Sequence, residues 1–233
     1  MKAYVITTKD SKRLLDGEIR DYPDCLPECE VVYGPEPTAN NYPPHWFKCI
    51  RPEEKHRRHA WCCYLSKIYC LQDHLKRYPD EDCIIFEDDV TFSPHFDEIY
   101  TGFMRLVPDD WDFIWFDYKM RGTAKEIKPG ILTSEYFWYT GMNIFRAKII
   151  PSLIEDLKKE YNLRDCEVDR VLCALSKKYK TYFPLFSACG QCGGYSYIRR
   201  SNCRRHDFTS TKYKSLDGTI KYSSIDDYKV YLQ

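Results

Sequence analysis

The sequence carries no net charge, because 35 lysines and arginines are matched by 35 aspartates and glutamates. Without an excess of either sign there is no bulk attraction to nucleic acid or to a membrane, so any charged partner must be met locally. No nucleic-acid partner is expected. No apolar run reaches membrane-spanning length, and the opening "MKAYVITTKD" has too short an apolar stretch, with charge following at once, for a secretory leader. These absences predict no transmembrane segment, a mature chain starting near Met1 and a cytoplasmic location, and they leave the source, bacterial or viral, open. Internal repeats and low-complexity segments are also missing, which excludes a repeat array.

A disulfide framework is not indicated either, despite twelve cysteines. They are scattered through core-like segments with no targeting signal, a pattern of reduced thiols in a reducing compartment. The spacing of Cys189 and Cys192 in "CGQC" invites a redox or zinc reading. A redox pair of that spacing opens a helix, whereas this one follows the strand-like "TYFPLF", and no second pair completes four zinc ligands.

What is present is an alternation of strand-like and helix-like segments over 233 residues, enough for one generous domain or two small ones. "AYVITT" (3–8), "CEVVYG" (29–34), "CIIF" (83–86), "WDFIWFD" (111–117), "YFWYTGMNIF" (136–145) and "TYFPLF" (181–186) are rich in aromatic and β-branched residues. Trp61, Leu65, Ile68 and Leu75 recur at helical spacing over 56–78, and Pro79 ends that helix. Further helices are expected over 151–161, with Leu153, Ile154, Leu157 and Tyr161 on one stripe, and over 166–179. "TANNYPPHWF" (38–47) reads as a loop. The alternation predicts an α/β layered domain.

The most informative stretch is "CIIFEDDVT" (83–91), a short apolar run ending in three carboxylates. Adjacent carboxylates repel and resist burial, and no counter-charge is adjacent in sequence. In open α/β sheets ligands sit beyond the carboxyl ends of strands, where Glu87, Asp88 and Asp89 fall. Along an extended segment Glu87 and Asp89 share a face and Asp88 points the other way. Two hard oxygen donors at a strand end suit Mg²⁺ or Mn²⁺, which also takes phosphate oxygens from a substrate. A solvated acidic turn is the alternative. A phosphohydrolase with an aspartate nucleophile two residues before a second aspartate is disfavoured, since Glu87 holds that position. A calcium loop fails for lack of a central glycine and alternating oxygen donors.

"AWCCYLSKIYCLQDHLKRYPDEDCIIFEDDVTFSPHF" resembles the segment of glycosyltransferase family 25, lipopolysaccharide- and collagen-modifying enzymes, in which a helix with Ser-His precedes a strand ending Glu-Asp-Asp. "AYVITTKDSKR", "WDFIWFD", "YTGMNIFRAKIIPSLIEDL", "EVDRVLCAL" and "YFPLFSACGQCGGYSYI" extend the resemblance over most of residues 3–198. Two departures stand out: Lys67 follows Ser66 where the family usually has His, and Thr7-Thr8 replaces the usual Asn-Leu. The resemblance implies a GT-A (Rossmann-like) fold, an open mixed but mostly parallel sheet flanked by helices, over residues 1–205. The polar tail, 206–233, is then a surface appendage.

It further implies an inverting, metal-dependent transfer from a nucleotide sugar, a UDP-sugar, to a hydroxyl on a glycan or protein acceptor. Asp89 would be the direct ligand of Mn²⁺ or Mg²⁺, with Glu87 or Asp88 holding ribose or metal-bound water. Thr7, Thr8 and Gln191 would line the donor, and His206 in "CRRHDF" would complete the metal shell unless it is a plain surface residue. A glycan-binding protein of the same fold without turnover is the competing reading. An acceptor hydroxyl attacking directly needs a base. Asp169, beside Glu167 near a helix start that favours its ionised form, is the first candidate, its alternative being a cap. "KHRRH" (55–59) puts positive charge at a helix start, which costs about 0.3–1 kcal/mol, so it is an anion site or a solvated basic face. Arg13, soon after the first strand, is a rival phosphate contact.

Overall fold

The computed structural model describes residues 1–9, 11, 13–14, 19, 21–35, 56–161, 167–192, 194–196, 201–203, 208 and 211–232. Strands β1 (Lys2–Thr7), β2 (Cys29–Tyr33) and β3 (Cys83–Glu87) are followed by β4 (Val90–Phe92), β5 (Phe113–Trp115) and β6 (Lys119–Met120). Next come β7 (Thr123–Lys128), β8 (Ile131–Ser134), β9 (Phe137–Trp138), β10 (Met142–Phe145) and β11 (Thr181–Pro184). The last strands are β12 (Cys189–Gln191), β13 (Gly194–Ser196), β14 (Ser201–Cys203), β15 (Thr211–Ser215) and β16 (Ile220–Ser223). The helices are α1 (His56–Arg77), α2 (Phe96–Leu106), α3 (Ile150–Tyr161), α4 (Val168–Leu175) and α5 (Ile225–Leu232).

Ten strands form one sheet in the order β16-β15-β7-β8-β11-β5-β10-β3-β1-β2. The expectation of a mostly parallel sheet is corrected: β1 runs parallel to β2 and β3, but β10 enters antiparallel between β3 and β5, and β7-β8 is a hairpin. The central strands are apolar throughout because both faces are covered. Cys83 to Phe86 are wholly buried, and so are Phe113 to Trp115. Phe86 meets Tyr22 and Phe92 edge-on, and Phe96 and Phe103 of α2 pack on Phe116. Helix α1 forms because Trp61, Tyr64, Ile68 and Leu71 fall on one stripe, and all four are buried. The Tyr64 hydroxyl donates to the Leu157 carbonyl at 2.8 Å, pinning α1 to α3.

The segment 136–145, expected as one strand, divides into β9 and β10, because Tyr139 takes a left-handed conformation with φ 81°. Gly141, two residues on, is required by close approach: a Cβ there would lie 2.3 Å from the Asp117 carboxylate. Residues 211–223 do not stand apart from the sheet. β15 pairs with β7, Tyr213 is buried, and the Ser223 hydroxyl donates to the Leu185 carbonyl at 2.9 Å. The loop expected over 38–47 lies outside the described residues.

Candidate functional site

Several segments distant in sequence meet at the carboxyl end of β3. β1 lies parallel beside it with Ile6 opposite Glu87, so the residues after both strands emerge together. β10 begins at the same edge, where Met142 pairs with Phe86 and the Glu87 N–H donates to the Gly141 carbonyl at 2.9 Å. Across the short β4-β12 pair, the Cys192 N–H donates to the Asp89 carbonyl at 2.7 Å. Helix α1 adds the side chains of Cys63 and Lys67.

Each carboxylate of the triplet has a different environment. Asp88 is fully engaged: Thr7 Oγ1 and Ser11 Oγ donate to its Oδ2 at 2.7 and 2.5 Å, and Arg13 Nη1 to its Oδ1 at 3.0 Å. Glu87 Oε1 accepts a short hydrogen bond from the Thr140 hydroxyl and lies 3.6 Å from Lys67 Nζ and 3.7 Å from Cys63 Sγ. Asp89 Oδ2 lies 3.5 Å from Arg13, but its Oδ1 is buried with no partner. Burial first, then Glu87, raises the Asp89 carboxyl to about 7, against the pull of Arg13.

The counter-charge that local sequence lacks is therefore supplied in part by the protein. Lys67 is almost fully buried, at 1% exposure, and also donates to the Thr140 carbonyl and Asn143 Oδ1 at 3.0 and 3.2 Å. A buried cation with three oxygens around it is held in place. Asp117 adds a fourth carboxyl group to the cluster. Its Oδ2 accepts from the Gly141 N–H at 3.0 Å, and its Oδ1 is buried without a partner. Burial, then the charges of Glu87 and Asp89, push Asp117 well above the ordinary carboxylate range.

Asp169 comes to the same region from α4. Its Oδ1 accepts from the Arg170 N–H at 2.9 Å, and the N–H of Tyr139 also favours its charge. Burial, followed by the nearby Glu167 and Glu87, raises its carboxyl above the usual value. Glu167 itself is paired with Arg170 at 2.6 Å on the exposed side of the helix start.

The structure thus brings Thr7, Arg13, Glu87, Asp88, Asp89 and Asp169 together. Thr8 is exposed and offers its carbonyl to the Ser11 N–H, while Gln191 stands opposite Val90 in β12, one residue before Cys192. His206 lies outside the described residues, as do Lys55 and the side chains of 56–59. Among the described residues no group of three or more His, Cys, Asp or Glu side chains surrounds a single point as ion ligands. The Cys189-Cys192 pair is divided: Cys189 is buried against Met142 and Cys192 is exposed. Sequence reasoning passed over Lys67, Ser11 and Thr140 as site residues. The signal for Lys67 was legible, since it lies on the apolar stripe of α1, three residues after Tyr64 and four before Leu71.

Compared with known families, residues 57–205 match the one described as glycosyltransferase family 25 (LPS biosynthesis protein). A search of curated proteins returned no match. The matched region runs from α1 through β14 and contains the acidic triplet, Lys67, Asp117 and Asp169.

Proposed function

The chain belongs to glycosyltransferase family 25, and from that premise we propose that it moves a sugar from a UDP-sugar to a hydroxyl of a glycan or protein acceptor, on a GT-A domain, with inversion and with help from a divalent cation. The observation that carries the cation is the orphaned Oδ1 of Asp89, a buried carboxylate oxygen with no protein partner. A buried carboxylate oxygen left bare costs stability, and a cation would satisfy it. Asp89 and Glu87 would hold Mn²⁺ or Mg²⁺, with phosphate oxygens of the donor making up the shell, a mode that needs only one or two carboxylates from protein. When bound, the cation would offset the negative charge that grows on the departing diphosphate.

The protein's own residues do the rest of the work in this reading. Arg13, 3.0 Å from Asp88 and 3.5 Å from Asp89, adds positive charge where the diphosphate would lie. Asp88 holds the turn after β1 through Thr7, Ser11 and Arg13, so it shapes the donor site rather than ligating. Asp169 accepts the proton of the acceptor hydroxyl as its oxygen bonds to the anomeric carbon and the bond to the diphosphate breaks. Its raised carboxyl places it nearer the range in which a general base is effective.

Calorimetry with UDP in Mn²⁺ and in chelator tests the proposal. Tight binding in Mn²⁺ that is lost in chelator is expected, because diphosphate and carboxylates repel unless a cation bridges them. Equal affinity in both would remove the cation from the account.

A further inference from the structure

Far along the large sheet from β3, strands β7, β15 and β16 present a face that the candidate site does not use. Lys212 stands opposite Tyr222 and Lys214 opposite Ile220 across β15-β16, while Lys214 stands opposite Thr123 across β15-β7. Opposed residues share a face, as do residues two apart on a strand, so Lys125 joins Lys212, Lys214, Ile220 and Tyr222 on one side. The other side carries Ala124, Thr211 and Tyr213, which are buried, leaving the lysine-bearing side to solvent. Ile220 and Tyr222 are 53% and 63% exposed, and Leu216, in the turn between the strands, is 64% exposed.

Among the described residues, charge on this face has one sign. Among the described residues none of the three lysines makes an ion pair; Lys212 instead lies over the Tyr222 ring at 5.6 Å. The carboxylate in the turn, Asp217, is occupied locally, accepting from the Ser215 hydroxyl and from the Thr219 N–H at 2.9 Å. Among the described residues β16 is the terminal strand of the sheet, so the face ends at its edge.

Lysine among exposed large apolar side chains does not suit a protein partner, since protein interfaces are depleted in lysine. It suits the headgroup layer of a bilayer, where a tyrosine ring sits at the boundary, aliphatic tips reach inward and lysine stems extend toward anionic headgroups. We propose that the β7-β15-β16 face docks on an anionic lipid surface, with Lys125, Lys212 and Lys214 as the electrostatic contacts and Leu216, Ile220 and Tyr222 as the shallow apolar insertion. The proposal is independent of the donor and cation reading.

Co-sedimentation of the full chain with phosphatidylcholine vesicles, with and without phosphatidylglycerol, tests it. Binding is expected only to the anionic vesicles, and it should weaken as salt rises. The Lys125→Gln, Lys212→Gln, Lys214→Gln triple variant should lose about fivefold per lysine, on the order of a hundredfold in all. A second variant, Leu216→Ser with Tyr222→Ser, should bind more weakly at low salt and lose the residual binding at high salt. Every substituted side chain is exposed, so thermal midpoints should match the wild type. The proposal is overturned if anionic vesicles are not bound, if both variants bind as the wild type does, or if soluble heparin is retained equally while vesicles are not.

Discussion

Asp169 lies between two backbone N–H groups, those of Tyr139 and Arg170, and two carboxylates, Glu167 and Glu87. The first pair suits a carboxylate that secures a helix start; the second suits one poised near acidic chemistry. Asp169→Asn distinguishes these roles because it is nearly isosteric. As the base, it should lose ~10²–10⁴-fold in kcat with UDP affinity unchanged. As a cap it would cost about 1 kcal/mol in thermal stability and leave turnover nearly intact. Measuring kcat, UDP affinity and the thermal midpoint on the one variant decides. That Asp169 was a candidate at all was legible from its place beside Glu167 at a predicted helix start. Its neighbours Tyr139 and Glu87 were not, since they are distant in sequence.

Helix α1 does more than cover the sheet. It is pinned to α3 through Tyr64, and through Lys67 it is tied to the strand end at Glu87 and to the 140–143 segment that opens β10. Lys67→Met keeps the length of the side chain but leaves Glu87, the Thr140 carbonyl and Asn143 Oδ1 without their cation. Losing one partner of a buried ion pair costs ~3–5 kcal/mol. We expect a loss of that order by denaturant unfolding, with part of it restored in Lys67→Arg; an unchanged midpoint would show that α1 does not depend on this contact.

At this scale the long periodic elements were legible: α1, α3 and the central strands announce themselves through helical spacing or continuous apolar runs. The break in 136–145 was not, because it comes from the left-handed backbone at Tyr139, beside a Gly141 whose N–H meets Asp117 across 24 residues. Helix α2 was not read from the sequence, although Phe96, Ile99 and Phe103 lie on its buried face.

The site as a whole is assembled from the turn after β1, the end of β3, the start of β10, helix α1 and the start of α4. The second of these displays its role most plainly in local sequence, as carboxylates at the end of an apolar run, and the start of α4 offers Asp169 beside Glu167. The others depend on parallel and antiparallel pairings between distant strands, which periodicity does not encode. For the same reason the tail looked like an appendage: its attachment rests on Lys214 pairing with Thr123, 91 residues earlier. No described helix is long and apolar enough to cross a membrane.

The central claim is that this acidic strand end holds the cation used in sugar transfer, and Asp89→Asn tests it most directly. The variant removes a buried charge without changing shape, so its thermal midpoint should equal or exceed that of the wild type. UDP release from a panel of UDP-sugars in saturating Mn²⁺ should meanwhile fall on the order of 10²-fold or more. Such a divergence between stability and turnover is what a functional carboxylate held at a cost predicts. Wild-type turnover by Asp89→Asn at saturating donor would contradict the account and make the triplet an ordinary acidic turn.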